Sequence, residues 1–181
     1  MIAGLLGGRR LVAPKGMDTR PTSDRVREAL FSALGDVTGA RVLDLYAGTG
    51  ALAIEALSRG AARATLVENA RPALAALREN LTSLALLDRA RVLAQPAARA
   101  VAALAAGEET FDLVFVDPPY ADLPAVLPLL EALATRALAP GGRVVLEHAS
   151  RDRAPGIAGL TALRSKAYGD TTVTLYERDE A

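Results

Sequence analysis

Four consecutive residues, Asp117-Pro118-Pro119-Tyr120, carry the strongest chemical signal in the sequence, and they directly follow the apolar run Phe111–Val116. Two adjacent prolines fix φ and remove two N–H donors, so the backbone here is stiff and offers carbonyl acceptors. The Asp117 carboxylate and the Pro118 carbonyl can each accept one hydrogen of a planar amino group, which frees the nitrogen lone pair. Tyr120 can stack on the attached base. We interpret these residues as a catalytic receptor for an amino group, in which Asp117 orients and polarises and is secondarily a general base. The alternative is a simple turn at a strand end.

A second candidate site lies in residues 44–50, where Gly48 and Gly50 permit a tight turn and close approach to a ligand. Glu68 ends the next strand-like run, where its carboxylate can accept hydrogen bonds from ribose hydroxyl groups. The spacing Gly48-x-Gly50-x-x-Ala53 also satisfies the dinucleotide fingerprint, which keeps a nicotinamide cofactor open. Asp44 favours a different ligand, because a carboxylate attracts a cationic sulfonium and repels a pyrophosphate. The loop therefore predicts an S-adenosylmethionine site, with a purely structural turn as the other interpretation.

Short apolar runs alternate with helix-compatible stretches from residue 41 onward, which predicts parallel strands connected by helices. The predicted strands are Val42–Tyr46, Thr65–Val67, Arg91–Ala94, Leu113–Val116 and Val144–Leu146. The predicted helices are Leu52–Ser58, Pro72–Leu84, Ala97–Ala106 and Ala125–Leu138. Ligands bind at the carboxyl ends of the strands in such sheets, so the glycine loop and Asp117 are expected to lie side by side.

The C-terminal part breaks this alternation. Two runs, Leu160–Tyr168 and Thr172–Tyr176, are joined at Gly169-Asp170, which is a glycine-first hairpin signal. No helix fits between them, so the last strand should be antiparallel to its neighbour. The predicted fold class is therefore α/β: a doubly wound, Rossmann-like methyltransferase fold with a seven-stranded, mostly parallel sheet and an antiparallel last strand.

The N-terminal part is predicted to be an extension of this core. Ile2–Val12 contains two apolar runs split by Gly7-Gly8, which predicts a β-hairpin, and a helix should follow from about Asp24 to Leu34. We expect a single domain over residues 1–181, with a basic hairpin-and-helix extension (1–38) and a catalytic core (39–181).

Charge and composition narrow the function. Residues 1–30 carry a net charge of +3 in a chain whose formal net charge is zero. Such a cluster suits a polyanion, although charge alone favours a solvated surface segment. The absence of cysteine and the single histidine, His148, exclude a multi-histidine or cysteine metal site, so no metal is expected. His148 is expected to be structural. No apolar run approaches the ~20 residues of a membrane span, and the N-terminus is a poor signal peptide, so we expect a cytoplasmic protein with no membrane partner.

Motifs along nearly the whole chain resemble those of the RsmD-type enzymes, bacterial methyltransferases that act on N2 of a guanine in 16S ribosomal RNA. The most specific matches are Gly8-Arg9-Arg10-Leu11 and residues 20–31, which read RPTSDRVREALF. Further matches are Asp44–Gly50, Glu55–Ala61, Phe111–Tyr120 and Tyr168–Thr171.

This resemblance implies S-adenosyl-L-methionine as the cofactor and 16S ribosomal RNA, or the small ribosomal subunit, as the partner of a monomeric enzyme. The predicted cofactor-binding residues are Asp44, Ala47, Gly48, Gly50, Glu68, Asn69, Gln95 and Ala97. The catalytic residues are Asp117, Pro118, Pro119 and Tyr120, and the RNA-binding residues are Arg10, Arg20 and Arg25. Arg20 is expected nearest to the site because Pro21 stiffens its backbone. Where the family usually has a polar residue near the adenine, this chain reads Gln95-Pro96-Ala97-Ala98, so that contact would fall to Gln95 or to the backbone.

Three other functions stay open at this point. The same four residues suit a methyltransferase for adenine N6 in DNA or for a glutamine amide in protein. A nicotinamide-dependent oxidoreductase fits the glycine loop but leaves Asp117–Tyr120 unexplained. A non-catalytic RNA-binding or assembly factor would have no need of an intact cofactor loop.

Overall fold

The computed structural model describes residues 3–14 and 24–179, and seven strands within them form one sheet in the order β3-β2-β1-β4-β5-β7-β6. The strands are β1 (Arg41–Leu45), β2 (Arg63–Glu68), β3 (Ala90–Ala94), β4 (Phe111–Val116), β5 (Leu138–Ala149), β6 (Leu160–Tyr168) and β7 (Thr171–Arg178). The helices are α1 (Asp24–Leu34), α2 (Ala51–Ser58), α3 (Arg71–Ser83), α4 (Ala97–Ala106) and α5 (Leu123–Arg136). Short 3₁₀ helices cover Gly4–Leu6 and Tyr120–Asp122.

The direction of the strands confirms the predicted fold class. Strands β1 to β5 pair in parallel, whereas β7 is antiparallel to both of its neighbours, β5 and β6. The strand order reverses at β1, which has β2 on one side and β4 on the other. In open α/β sheets this reversal creates the crevice in which ligands bind.

Apolar side chains cover both faces of the sheet. Helices α1, α2 and α3 pack on one face, and α4 and α5 pack on the other. Phe31 of α1 lies against Phe115 of β4 with 5.8 Å between ring centroids, and the guanidinium group of Arg59 lies 4.7 Å from the Phe31 centroid. Because both faces of the central strands are buried, these strands are apolar at successive positions. Within the described ranges, no helix is long and apolar enough to cross a membrane.

The predicted N-terminal β-hairpin over Ile2–Val12 is wrong. The described part of this segment forms a 3₁₀ helix, a turn and an extended stretch, with no strand. Its backbone N–H groups bond to side chains of the core helices instead of to a second strand. The N–H of Leu6 donates to Ser58 Oγ at 2.9 Å, and the N–H of Val12 donates to Asn80 Oδ1 at 2.7 Å. Satisfying backbone donors in this way removes the need for a hairpin ladder. The division into residues 1–38 and 39–181 stays a prediction.

Candidate active site

The ends of three strands lie level at the carboxyl edge of the sheet. Leu45 of β1 pairs with Val67 of β2 and with Val116 of β4. The next residue of each strand is Tyr46, Glu68 and Asp117 respectively, so the two predicted carboxylates flank the end of β1. The glycine loop (residues 44–50), predicted to bind the cofactor, and the Asp117 segment are thereby brought together, as the sequence predicted.

The two loop glycines have different surroundings, although both have positive φ (+56° at Gly48 and +82° at Gly50). A Cβ on Gly48 would meet no atom within 4 Å, so this position is open to an approaching ligand. A Cβ on Gly50 would lie 2.5 Å from Cδ1 of the buried Leu77, so this glycine is required by the core beneath α2. Gly48 therefore suits the cofactor, whereas Gly50 suits packing.

Glu68 holds the loop through its carboxylate. Oε2 accepts the N–H of Gly48 at 2.8 Å, while Oε1 accepts the N–H groups of Asn69 and Ala70, each at 2.8 Å. A carboxylate has about four acceptor positions, so roughly one is left for a ligand hydroxyl. For Glu68 to accept both hydroxyl groups of a ribose, its hydrogen bond from the Gly48 N–H must be shared or broken.

Asp44 is buried beneath the loop, with 2% of its surface exposed. Its Oδ2 accepts the N–H of Ala53, in the first turn of α2, at 3.1 Å. The N-cap residue of this helix, Gly50, has no side chain that could accept this N–H, so Asp44 takes that role. Burial raises the pKa of Asp44 to about 8; the Ala53 bond opposes this, and the negative charges of Asp117 and Glu68 add to it. The Asp44 carboxyl is therefore mostly protonated at neutral pH, and a cation beside it would favour ionisation.

A pocket of about 240 Å³ opens beside Glu68 at the end of β2 and β3. Four of the predicted cofactor residues line it: Glu68, Asn69, Gln95 and Ala97. The other lining residues are Tyr46, Val67, Pro96, Ala98, Asp122, Ala125 and Leu129. The other four predicted cofactor residues do not line the pocket and lie in the adjoining glycine loop: Asp44, Ala47, Gly48 and Gly50.

Tyr46 is a pocket residue that the sequence reasoning missed. It has φ +61°, a left-handed conformation that is strained for a bulky side chain and that occurs at functional sites. Burial raises its pKa, and the charge of Asp122 adds to this effect. Its position at the end of an apolar run made it look like one more core residue.

Asn80 is a second residue that was missed. It is 1% exposed on α3, and its Nδ2 donates to the Thr49 carbonyl at 3.0 Å and to the Val12 carbonyl at 3.1 Å. Asn80 thus ties the N-terminal segment to the cofactor loop. A lone amide on the apolar face of a predicted helix is the signal that could have revealed it.

The Asp117–Tyr120 segment lies directly after β4. Asp117 is partly buried, and burial raises its pKa to about 6, so it is mostly ionised at neutral pH. Pro118 is buried and Pro119 is exposed. The Tyr120 side chain is partly buried, and its hydroxyl group is hydrogen-bonded to the Thr171 hydroxyl. An ionised carboxylate beside a rigid backbone can accept the hydrogens of an amino group.

Of the three predicted RNA-binding arginines, the two that the structure describes, Arg10 and Arg25, do not lie in either of these sites. Arg10 and Arg25 are exposed, and Arg20 lies outside the described residues.

His148 is 1% exposed, with Nε2 2.9 Å from Thr174 Oγ1 and Nδ1 3.2 Å from the Ala149 carbonyl. These contacts fit the structural role expected for it. In the described part of the chain, no three His, Asp or Glu side chains are grouped so that they could hold a metal ion.

Comparison with known proteins gives consistent matches along the chain. The family model described as conserved hypothetical protein 95 matches residues 1–177. The chain is 38% identical to the putative rRNA methyltransferase YlbH of Bacillus subtilis, covering 98% of both chains. It is also 38% identical to the ribosomal RNA small subunit methyltransferase D of Escherichia coli K12, covering 99% of this chain and 89% of that one. A solved structure, the putative methyltransferase yhhF from Escherichia coli, superimposes with a TM-score of 0.85 at 34% identity and covers 100% of this chain and 98% of that one.

Proposed function

The chain belongs to the RsmD family, whose model is described as conserved hypothetical protein 95, and from this membership we propose its reaction. It uses S-adenosyl-L-methionine to methylate the N2 amino group of a guanine in 16S ribosomal RNA. The observation that carries the proposal is the placement of Glu68 and Asp117 on the two sides of the β1 end, one beside a pocket and the other before two prolines.

The site fits the proposed cofactor in charge and shape. The pocket wall contains two acidic residues, Glu68 and Asp122, and no basic residue among those that the structure describes. Asp44 lies under the adjoining loop and can ionise when a cation binds. The open face of Gly48 lets a ligand approach the backbone. In this arrangement Glu68 would hold the ribose, Asn69, Gln95 and Ala97 would hold the adenine, and Asp44 and Asp117 would face the cationic end.

The residues after β4 hold the amino group. When bound, the cofactor supplies an electrophilic methyl group on a sulfonium that leaves as a neutral thioether. The Asp117 carboxylate and the Pro118 carbonyl accept the two amino hydrogens and point the nitrogen lone pair toward the cofactor. The Tyr120 ring stacks on the base. Methyl transfer leaves the nitrogen as a cationic aminium, which is very acidic and loses one proton to Asp117 or to water to give the neutral methylamino group. Orientation accounts for most of the catalysis.

The substrate is proposed to be the assembled or partly assembled small subunit. The described residues form one sheet with its covering helices, and this arrangement offers little surface for reading a long sequence. RNA already shaped by ribosomal proteins, with the target base displaced from its stack, needs less recognition by the enzyme.

A transfer assay with labelled S-adenosylmethionine tests the proposal. The acceptors are small subunits from cells lacking this enzyme, free 16S ribosomal RNA, and DNA, and the variants are Asp117→Asn and the matched control Asp88→Asn. Asp88 is exposed in the turn before β3, away from the site. We expect label in the subunits as N2-methylguanosine, near-complete loss in Asp117→Asn, and no change in Asp88→Asn.

Other outcomes of the same assay discriminate between the alternatives. Label in DNA or protein, with none in RNA, would move the substrate and leave the methyltransferase chemistry in place. Binding of NAD in place of S-adenosylhomocysteine in a calorimetric titration would contradict the cofactor. Equal transfer to free RNA and to subunits would contradict the requirement for an assembled substrate.

A further inference from the structure

A groove separates helix α1 from the edge strand β6 on the face of the sheet that α1, α2 and α3 cover. Its volume is about 220 Å³, and its walls are Ala29, Leu30, Ser32, Ala33, Arg164, Lys166, Tyr168, Val173 and Leu175. The charged wall residues are Arg164 and Lys166, and both are exposed. The pocket beside Glu68 has acidic walls, so the two cavities have opposite charge. A polyanion therefore fits the groove and not the pocket.

A β-bulge in β6 turns these two cations into the groove. Leu163 is an extra residue between the cross-strand pairs Ala162–Tyr176 and Arg164–Leu175. A shift of one residue moves a side chain to the opposite face of a strand, so without the bulge Arg164 would point away from α1. Bulges of this kind re-aim side chains at particular places in a sheet.

The groove leads to the proposed catalytic residues. Lys166 follows Arg164 by two positions, about 7 Å along the strand, and its ammonium group lies 5.1 Å from the ring centroid of Tyr168. Tyr168 pairs with Thr171 at the carboxyl edge of the sheet, and the Thr171 hydroxyl is bonded to the Tyr120 hydroxyl. A strand of nucleic acid lying in the groove would thus pass the side chain proposed to hold the target base.

The cations of the groove are available for a ligand. Arg164 forms no ion pair with any other residue in the described ranges, in contrast to Arg143 on β5, which lies 3.5 Å from Glu177. Arg25 is exposed and precedes the groove residue Ala29 by four positions, so the helical spacing puts it on the same side of α1, where it would add a third cation.

We propose that this groove binds the sugar-phosphate backbone of the RNA next to the target base, with Arg164 and Lys166 contacting phosphate groups. The nature of the polyanion rests on the proposed function. Phosphate contacts of this kind fix the position and orientation of a nucleic acid without reading its sequence. The groove would therefore determine how the substrate is held and would leave the chemical step unchanged.

The test compares three double variants with the wild-type protein. Arg164→Gln/Lys166→Gln removes both charges, and Arg164→Lys/Lys166→Arg keeps them. Arg78→Gln/Arg99→Gln removes two exposed charges from α3 and α4 and is the matched control. Thermal melting checks the fold of each variant. The readouts are the dissociation constant for 16S ribosomal RNA at several salt concentrations, kcat and KM on small subunits, and the affinity for S-adenosylhomocysteine.

We expect Arg164→Gln/Lys166→Gln to weaken RNA binding and to raise KM about 10- to 30-fold, with kcat and cofactor affinity unchanged. The slope of log Kd against log salt should fall by roughly one to two, as expected for two lost phosphate contacts. The charge-keeping variant and the control pair should behave like the wild type. Two results would overturn the groove proposal: an equal loss of RNA affinity in Arg164→Gln/Lys166→Gln and in the control Arg78→Gln/Arg99→Gln, or no loss in either variant. In both cases, methyl transfer to RNA by the wild type would still support the proposed function. A wild type that transfers no methyl group to RNA would contradict the proposed function, and loss of RNA binding in the variant alone would still support the groove.

Discussion

The hydroxyl groups of Tyr120 and Thr171 are hydrogen-bonded to each other, although the two residues are 51 positions apart in the chain. Tyr120 lies in the segment after β4, and Thr171 begins β7. The bond therefore joins the proposed base-binding residue to the turn between β6 and β7. Two-point fixation of an aromatic ring, through its backbone and through its hydroxyl, limits the orientations that the ring can adopt.

Removing the Thr171 hydroxyl should slow the reaction without lowering the affinity for the cofactor. We expect Thr171→Val to lower kcat about two- to tenfold, the range for one hydrogen bond, and Thr171→Ser to restore it. Tyr120→Phe should have a similar effect, and the double variant should be no worse than either single variant, because both remove one bond.

Thr161→Val is a matched control for this series. Thr161 lies at the other end of the same hairpin, and its hydroxyl donates to Asp179 at 2.6 Å. This variant should leave kcat unchanged. Additive losses in the double variant, or no rescue by serine, would show that Thr171 does not act through Tyr120.

The two loop glycines should separate cofactor binding from stability. Gly48→Ala puts a methyl group into open space at positive φ, so the protein should fold with a loss of about 1–2 kcal/mol and bind S-adenosylhomocysteine at least about tenfold more weakly. Gly50→Ala puts the methyl group against Leu77, Ile54 and Leu66 in the core and should lower the free energy of unfolding by about 2–4 kcal/mol. Thermal melting and calorimetric titration of both variants check this. Equal stability losses would contradict the separate roles.

The sequence predicted the elements whose signals are local. The bounds of α4 and β6 were predicted to the residue, and the sheet direction followed from the lack of a helix between β6 and β7. Predictions failed where contacts with residues distant in the chain determine the local structure. The N-terminal segment bonds to side chains about 52 and 68 positions away, which no local pattern shows. Likewise, the sequence predicted β5 only over Val144–Leu146, whereas the strand spans Leu138–Ala149 and has a register shift against β4.

The site was predictable in its position and not in its detailed bonding. The sequence placed Glu68 and Asp117 at the ends of two parallel strands and therefore at one edge of the sheet, and the pairing of these strands with β1 puts them level. The left-handed backbone of Tyr46 and the three N–H groups on Glu68 depend on tertiary packing. The side-chain bond between Tyr120 and Thr171 depends on the strand order, in which β7 lies beside β5.

Catalysis should follow the ionisation of Asp117. Burial raises the pKa of this carboxyl to about 6, and only the ionised form accepts both an amino hydrogen and, later, a proton. We therefore expect kcat/KM to rise with pH through about 6 and then to level off, with a value at pH 5 about tenfold below the plateau. Steady-state rates on small subunits between about pH 5 and pH 8 measure this. A flat profile in the wild type would contradict an ionised Asp117 as the acceptor.

Asp44 should make the stability of the ligand-free protein depend on pH. Burial raises its pKa from 3.8 to about 8, so between these values the folded protein holds a proton that the unfolded chain has released. The contribution of Asp44 to the free energy of unfolding therefore falls as pH rises through this interval. Asp44→Asn does not titrate, and its amide oxygen can still accept the Ala53 N–H. The melting temperature of this variant should match the wild type near pH 4 and exceed it increasingly toward pH 9.

Thermal melting of wild type, Asp44→Asn and Asp88→Asn without ligand measures this difference. Asp88 is exposed, so Asp88→Asn should follow the wild type at every pH. Because a bound sulfonium favours the ionised carboxyl, cofactor binding at neutral pH should also release a proton, and less of one in Asp44→Asn. Titrations in two buffers of different ionisation enthalpy detect that proton. Two results together would contradict this prediction: a difference in melting temperature between wild type and Asp44→Asn that stays constant with pH, and no proton release when the wild type binds the cofactor. They would mean that Asp44 is already ionised in the empty site, so that the loop and not the charge of the cofactor determines its ionisation.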